Sequence, residues 1–341
     1  MPAKKILVTG GTGYIGSHTV VELINAGYEP VIIDNLSNSS LQILDQIEKI
    51  TGVKPAFYNF DLCDEQKTLE FVQNHPGIEG VIHFAAFKSV GESVSQPLKY
   101  YKNNIYSLIN LLESVSDRRI NFVFSSSCTV YGEPDSLPVN EQAPVKKAES
   151  PYGNTKQIAE EILAEASSVN KNLKVIALRY FNPVGAHSSA LIGELPIGVP
   201  QNLVPFITQA AIGKRGNIIV FGDDYNTPDG TCIRDYIHVV DLAKAHVAAI
   251  KKLESDSLQY DVYNIGTGRG NSVMEVIHAF EQANGQKLNY SIGPRRPGDI
   301  IQIYGDVSKA ERELSWKAEL GLLEMMSSAW NWEKYIRDNP L

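Results

Sequence analysis

The segment "SPYGNTKQ", Ser150 to Gln157, sets a phenol and an amine, Tyr152 and Lys156, four residues apart just after a proline. A lysine cation beside a phenol favours the phenolate, and the positive end of a helix adds to the effect. A phenolate so held is a base for a substrate hydroxyl. Free tyrosine titrates near ~10, so a base working around neutral pH must be lowered by about 3 pH units, or roughly 4 kcal/mol. One partner falls short of that, and the competing reading is a chance pair on a solvated helix face. Among sixteen tyrosines, only Tyr152 is followed by a lysine at this spacing.

The elements that must position the pair are legible nearby. Ser150 can cap a helix, Pro151 fits its first position, and Tyr152 and Lys156 then share one face. Upstream, apolar strands alternate with amphipathic helices. "KILVTG" reads as a strand, "IGSHTVVELINAG" as a helix ending at Gly27, "PVIIDN" as a strand and "LQILDQIEKITG" as a helix ending at Gly52. "PAFYNFDL", "EGVIHFAAF", "NFVFSSS" and "KVIALRYFN" are further strands. This rhythm predicts an α/β fold, a doubly wound parallel sheet, over residues 1–182. "PVGAHSSALIGELPIGVPQN" is rich in Pro and Gly and reads as a long loop leaving the sheet. "CIRDYIHVVDLAKAHVAAI" and "DVYNIG" read as strand, helix and strand of the first kind, so the chain is expected to return to the sheet at about 232–265. Ser272 and Glu275 form a capping-box pattern that opens another helix. Residues 183–231 and 266–341 remain for a smaller C-terminal substrate-binding domain.

"VTGGTGYIGSH" carries Gly10, Gly13 and Gly16 between a strand and a helix. Glycine suits a sharp strand-to-helix turn, close approach of backbone to a pyrophosphate, and tight packing of helix on strand, while amides exposed at the helix start bind phosphate. A tight turn alone would explain the triplet. Asp34, however, ends the second strand about 20 residues on, where a carboxylate binds the ribose hydroxyls of NAD in a Rossmann unit. It would repel a 2'-phosphate, and "DNLSNSS" offers no arginine to accept one, so NAD is expected over NADP. Asp61, after "YNF", either accepts from the adenine amine or forms a turn. "GTGRGNS", Gly266 to Ser272, has the look of a phosphate loop but lies late in the chain and is read as a turn.

Ser127 ends "NFVFSSS" 25 residues before Tyr152, and ligands of parallel sheets bind at the carboxyl ends of strands. A serine, a tyrosine and a lysine beside a nicotinamide form a dehydrogenation site: the phenolate takes a hydroxyl proton while the carbinol hydride passes to NAD. Lys156 can also bind the nicotinamide ribose.

Composition narrows the partners. The 341 residues are 43% hydrophobic and 21% charged with net charge -8, which argues against generic nucleic-acid binding. An anionic ligand must then be met by local arginines and backbone amides. Cys63, Cys128 and Cys232 are far apart and form no CxxC pair, so no disulfide framework or zinc site is expected and a reducing cytoplasm fits. The start "MPAKKILVTGG" has too short an apolar run for a signal peptide, and no run approaches the ~20 residues of a membrane span. The seven histidines form no HxxxH or HExxH, and no catalytic metal is expected.

Taken in order over nearly the whole chain, "VTGGTGYIGSH", "VIHFAAFKSVGES", "FSSSCTVYGE", "SPYGNTK", "LRYFNPVGAH", "IRDYIHVVDLA" and "RRPGD" resemble the extended short-chain dehydrogenase/reductase family, in its branch of nucleotide-sugar epimerases. The resemblance implies interconversion of UDP-glucose and UDP-galactose by transient oxidation at sugar C4 with tightly bound NAD. In it Tyr152 is the base, Ser127 its hydrogen-bonding partner and Lys156 the electrostatic and ribose-binding partner. It extends the cofactor-binding candidates to Tyr14, Ile15, Asn35, Asn38, Ser39, Leu62, Phe84, Lys88, Asn103 and Tyr180. For the UDP-sugar it implies Lys88, Ser127, Tyr152, Phe181, Asn182, Asn202, Leu203, Arg234, Arg296, Asp299 and Ile303, the arginines meeting the diphosphate. Without it, Arg234 is a surface ion pair with Asp235 and Arg296 lies in a solvated loop.

Related enzymes with the same serine, tyrosine and lysine differ just after the serine. The 4,6-dehydratases place an Asp-Glu pair there and the UDP-glucuronate decarboxylases a glutamate, whereas this chain has Cys128 and Thr129. Neither serves as a carboxyl acid or base, so elimination is disfavoured. A non-catalytic NAD-sensing protein would keep the glycine loop without needing Tyr152 and Lys156. The helices "PLKYYKNNIYSLINLLESV" and "SPYGNTKQIAEEILAEA" carry enough apolar surface to pair two chains, and a homodimer is expected. In the resembling family the position of Ile303 lines the sugar pocket, a tyrosine in members confined to glucose and galactose and a small residue in those accepting N-acetylhexosamines. Ile303 is intermediate, which favours UDP-glucose and UDP-galactose with weak activity on N-acetylated sugars; alternatively it faces the core of the small domain and gates nothing.

Overall fold

In a computed structural model, which describes residues 2–296 and 299–340, the N-terminal half runs β1 (Lys5–Thr9), α1 (Tyr14–Asn25), β2 (Glu29–Asp34), α2 (Ile43–Thr51), β3 (Ala56–Asn59), α3 (Glu65–Asn74), β4 (Ile78–His83), α4 (Val90–Ser95), α5 (Pro97–Ser114), β5 (Ile120–Ser127), α6 (Pro151–Val169) and β6 (Leu173–Tyr180). There follow β7 (Asn182–Val184), α7 (Leu203–Ala211), β8 (Ile218–Phe221), β9 (Ile233–His238), α8 (Val239–Ser255), β10 (Tyr260–Ile265), β11 (Gly270–Ser272), α9 (Val273–Asn284), β12 (Tyr290–Gly293), β13 (Gln302–Ile303), α10 (Ser308–Glu313) and α11 (Leu322–Asp338). Pro297 and Gly298 of the "RRPGD" segment lie outside the described residues.

The large sheet is parallel, with order β10-β6-β5-β4-β1-β2-β3. Its strands are apolar at successive positions because both faces are covered. Ile6 and Val8 of β1 face a core built with Val20 and Val21 of α1 and Leu242 and Ile250 of α8, while Leu7 faces Phe71 of α3, Leu108 of α5 and Leu163 of α6. Each such side chain contributes about 1.5–3 kcal/mol on burial. This is the doubly wound architecture that the strand and helix rhythm predicts. A separate core, with Ile207 of α7, Val220 of β8, Phe280 of α9 and Met326 of α11, underlies the small sheets.

One expected strand is placed differently. The return to the large sheet begins at α8, which packs on α1, and is completed by β10 beside β6. β9 instead pairs with β7, β11 and β13 in a small sheet. β9 carries Arg234 and Asp235, and burying a carboxylate requires hydrogen-bond donors around it. In the small sheet Asp235 is fully buried and accepts from the amides of Thr267, Gly268 and Gly305. The "GTGRGNS" loop thus turns around a carboxylate of this chain, as a turn rather than a phosphate loop.

His18, His83, His238 and His246 are buried, and burial pulls them to about 3, 3, 4 and 4 respectively. The unfolded chain therefore binds more protons below pH ~6.5, and on the order of 1 kcal/mol of stability per histidine is lost for each pH unit below it. Tm is expected to fall steeply as pH drops from 6.5 towards 4; a Tm flat over that window would contradict the buried, neutral state of these rings.

Candidate active site

The base candidate sits where helix initiation fixes it. The Ser150 side chain accepts from the Gly153 amide at 3.2 Å and Pro151 opens α6, as expected. Tyr152 and Lys156, one turn apart, are both buried against the carboxyl end of β5. The same helix is held down one turn further on, where Glu160 takes the Arg179 guanidinium of β6 at 2.5 and 2.9 Å and the Ser126 hydroxyl of β5 at 2.5 Å. Breaking a buried pair of this kind costs about 3–5 kcal/mol, so α6 cannot slide along the sheet.

Lys156 Nζ donates to the Ser125 carbonyl at 2.6 Å and lies 6.0 Å from the centre of the Tyr152 ring. Burial, followed by Tyr180, pushes the Tyr152 phenol well above its ordinary value, and hydrogen bonding with Ser127 works against that. Burial also pulls Lys156 down to about 8, with Glu160 opposing. Burial therefore works against the lysine and the helix end, both of which favour the phenolate.

The glycine loop meets the requirements of a dinucleotide. A Cβ on Gly10 would come within 2.9 Å of the Ala85 amide and one on Gly16 within 2.2 Å of the Gly10 carbonyl, so neither position admits a side chain. Gly13 begins α1 with no side-chain cap and no acidic residue in the first turn, leaving its amides for an anion. β1 and β4 are neighbours at the point where the strand order reverses, and Phe84 follows β4 there. Asp34 ends β2 and accepts from the amides of Thr12 and Leu36 and from Ser39, whose hydroxyl also meets Thr12. Asp61 accepts from the Cys63 amide as a turn former, and its other oxygen accepts from Asn35 beside the Asp34 loop. Ile15 lies on the first turn of α1, Asn38 is exposed in the loop after β2, and Leu62 is buried behind Asp61. Asn103 on α5 donates to Asn104, and Tyr180 meets the Ser125 hydroxyl at 2.6 Å. These residues fit NAD.

Apart from Lys88, Ser127 and Tyr152, the substrate candidates lie beyond β6, towards the small sheets. Arg234 is half-buried on β9, its guanidinium donating to the Ile233 carbonyl, and it has no carboxylate partner among the described residues. The ion pair with Asp235 therefore does not form. Arg296 is exposed, pairs with Asp299 at 2.6 Å and sits 5.7 Å from the Phe221 ring. Asn182 opens β7, and Asn202 and Leu203 open α7. Ile303 is 3% exposed and packs with Phe181, Cys128 and Val139, behind the residue that follows Ser127. Burial pushes Cys128 to about 12, so it stays a neutral thiol.

Two residues beside these candidates, Phe221 and Glu194, went unread in the sequence, and Thr129 was read there only as unable to serve as a carboxyl acid or base. The Thr129 hydroxyl is buried without a partner, next to Ser127, which accepts from its amide; its place after the serine was a usable signal. Phe221 presents an exposed ring beneath Arg296. Glu194 accepts from both Lys88 and Asn202. Nothing in the local sequence distinguishes these last two. Among the described residues no group of three or more His, Cys, Asp or Glu could hold a metal ion, and no helix is long and apolar enough to cross a membrane.

The family model described as GDP-mannose 4,6 dehydratase matches residues 7–329. UDP-glucose 4-epimerase 2 of Arabidopsis thaliana is 49% identical over 334 residues, covering 97% of this chain and 95% of its own length. A UDP-glucose 4-epimerase of Stenotrophomonas maltophila, solved with bound NAD and formylated UDP-arabinopyranose, superposes with a TM-score of 0.95 at 47% identity, over 98% of this chain and 99% of that one. A Bifidobacterium longum UDP-glucose 4-epimerase in complex with NAD+ and UDP gives 0.92 at 48% identity, over 98% and 99%. With likeness of this extent added to the glycine loop and the serine, tyrosine and lysine at the strand ends, the chain belongs to the UDP-glucose 4-epimerase family, within the wider group that the dehydratase model describes.

Proposed function

We propose that this chain interconverts UDP-glucose and UDP-galactose by transient oxidation at sugar C4 to a 4-keto intermediate. The observation that carries the reading is the convergence of Ser127, Tyr152 and Lys156 beside a glycine loop that fits NAD. Tyr152 takes the proton of the 4-hydroxyl and returns it to the opposite configuration; Ser127 hydrogen-bonds the reacting oxygen; Lys156 holds positive charge under the phenol. Bound NAD supplies a positively charged hydride acceptor for C4 and, for the opposite face of the keto sugar, the hydride donor. Arg234 and Arg296 meet the diphosphate, and Phe221 offers a flat apolar face to the base. Elimination has no support here, because the residues after Ser127 are a neutral thiol and a hydroxyl.

Purified protein given UDP-galactose and no added NAD should form UDP-glucose, since the cofactor is regenerated in each turnover. Full dependence on added NAD, with stoichiometric release of its reduced form, would mark an ordinary dehydrogenase instead.

Specificity for the unsubstituted hexoses is part of this reading. The wall containing Ile303 is packed, and a branched side chain there yields little to an acetamido group without strain. Ile303→Ser is expected to raise the ratio of UDP-N-acetylglucosamine to UDP-glucose activity roughly tenfold, and Ile303→Tyr to lower it. If neither variant moves the ratio, the gate is elsewhere and Ile303 is core only.

A homodimer through α5 and α6 is supported by apolar surface left on them: Leu98 and Tyr106 are exposed, and Ile109, Ile158 and Ile162 are only half-buried. Sedimentation at the mass of one chain would exclude it. The widely separated free thiols of Cys63, Cys128 and Cys232 support a cytoplasmic setting, which recovery of the protein in a secreted fraction would contradict.

A further inference from the structure

Glu194 lies between β7 and α7, and neither its backbone position nor its partners are accidental. Its carbonyl accepts from Trp332 Nε1 at 2.8 Å, and a Cβ on the preceding Gly193 would come within 2.4 Å of the Trp332 ring, so the loop is pressed against a buried indole. The side chain thus contributes little to holding the loop and is free for another task. Its carboxylate is 12% exposed, and Oε1 accepts from Lys88 Nζ at 3.3 Å and from Asn202 Nδ2 at 2.9 Å.

Asn202 occupies the N-cap of α7, where an asparagine oxygen ordinarily accepts an amide of the first turn. Here its side chain makes no cap hydrogen bond. It gives an N–H to Glu194 instead. An ionised carboxylate only accepts, so it fixes which way the amide of Asn202 is turned and leaves the second N–H and the oxygen for the cleft. The same oxygen holds the Lys88 ammonium 5.9 Å from the centre of the Tyr14 ring, at the glycine loop. Lys88 follows β4 of the large sheet, whereas Asn202 opens a helix of the small-sheet side. One carboxylate therefore joins the two walls of the cleft.

We propose that Glu194 is a positioning residue that, anchored on Lys88, orients Asn202 for the sugar nucleotide before it arrives. The inference rests on the functional reading above, and its test is a binding measurement that needs no turnover. In calorimetry on NAD-loaded protein, Glu194→Gln should weaken UDP binding about tenfold, the loss typical of a hydrogen bond to a charged group. A carboxamide can pair with Asn202 in either orientation and so no longer selects one. Because the effect acts through Asn202, adding Glu194→Gln to Asn202→Ala should cost less than about twofold more. Unchanged UDP affinity in Glu194→Gln, or losses that simply add in the double variant, would overturn the proposal. Glu194→Asp, which keeps the charge and shortens the reach, carries the same comparison if the glutamine variant does not fold. A wild-type chain that binds UDP yet fails to epimerise would defeat the functional reading and leave this comparison standing.

Discussion

Tyr152→Phe lowers turnover of UDP-galactose by at least the ~10² typical of losing a general base, while UDP still binds. Tyr152 is 8% exposed, and phenylalanine fills the same volume in the same packing, so the variant removes one oxygen and little else. The loss therefore falls on kcat rather than on folding or on nucleotide affinity. Calorimetry with UDP, run beside product analysis, separates the two. Near wild-type turnover would remove Tyr152 as the base.

Lys156→Met is expected to displace the whole pH profile. The phenol already stands above its ordinary value because it is buried, and it serves as a base only when deprotonated. Removing a cation 6.0 Å from its ring centre takes away a contribution that favours the phenolate, so the acid limb moves to higher pH. Each pH unit of displacement is about a tenfold loss on that limb, and a loss of that order or more is expected at pH 7. Burial pulls Lys156 itself to about 8, so the wild type should also lose support for the phenolate as pH rises through that value. The methionine variant lacks that second inflection. An unchanged profile would speak against the electrostatic role and leave Lys156 as a ribose contact alone.

What could be read in advance followed from how local its causes are. The start of α6 depends on Ser150 and Pro151, and the capping box of α9 on Ser272 and Glu275, each within one turn, and both form as read. The glycine loop and Asp34 are likewise short-range. β9 has the apolar periodicity of the large-sheet strands, and the amides that meet its Asp235 come from residues 267, 268 and 305, beyond the reach of local pattern. For a similar reason sequence spacing shows the cation beside the phenol but not the depth of burial that opposes it. Glu194 was invisible because its meaning lies in Lys88 and Trp332, both more than a hundred positions away.

The route of the chain through the large sheet has a consequence for its synthesis. β10 is the last of the seven strands to be made, and it pairs with β6 only after the whole of β7 to α8 has been translated. Until then β6 presents a row of unpaired amides and carbonyls, a template on which another nascent chain can add a strand. A chain that ends anywhere between Tyr180 and Tyr260 keeps that edge of β6 open, which exposes it to aggregation.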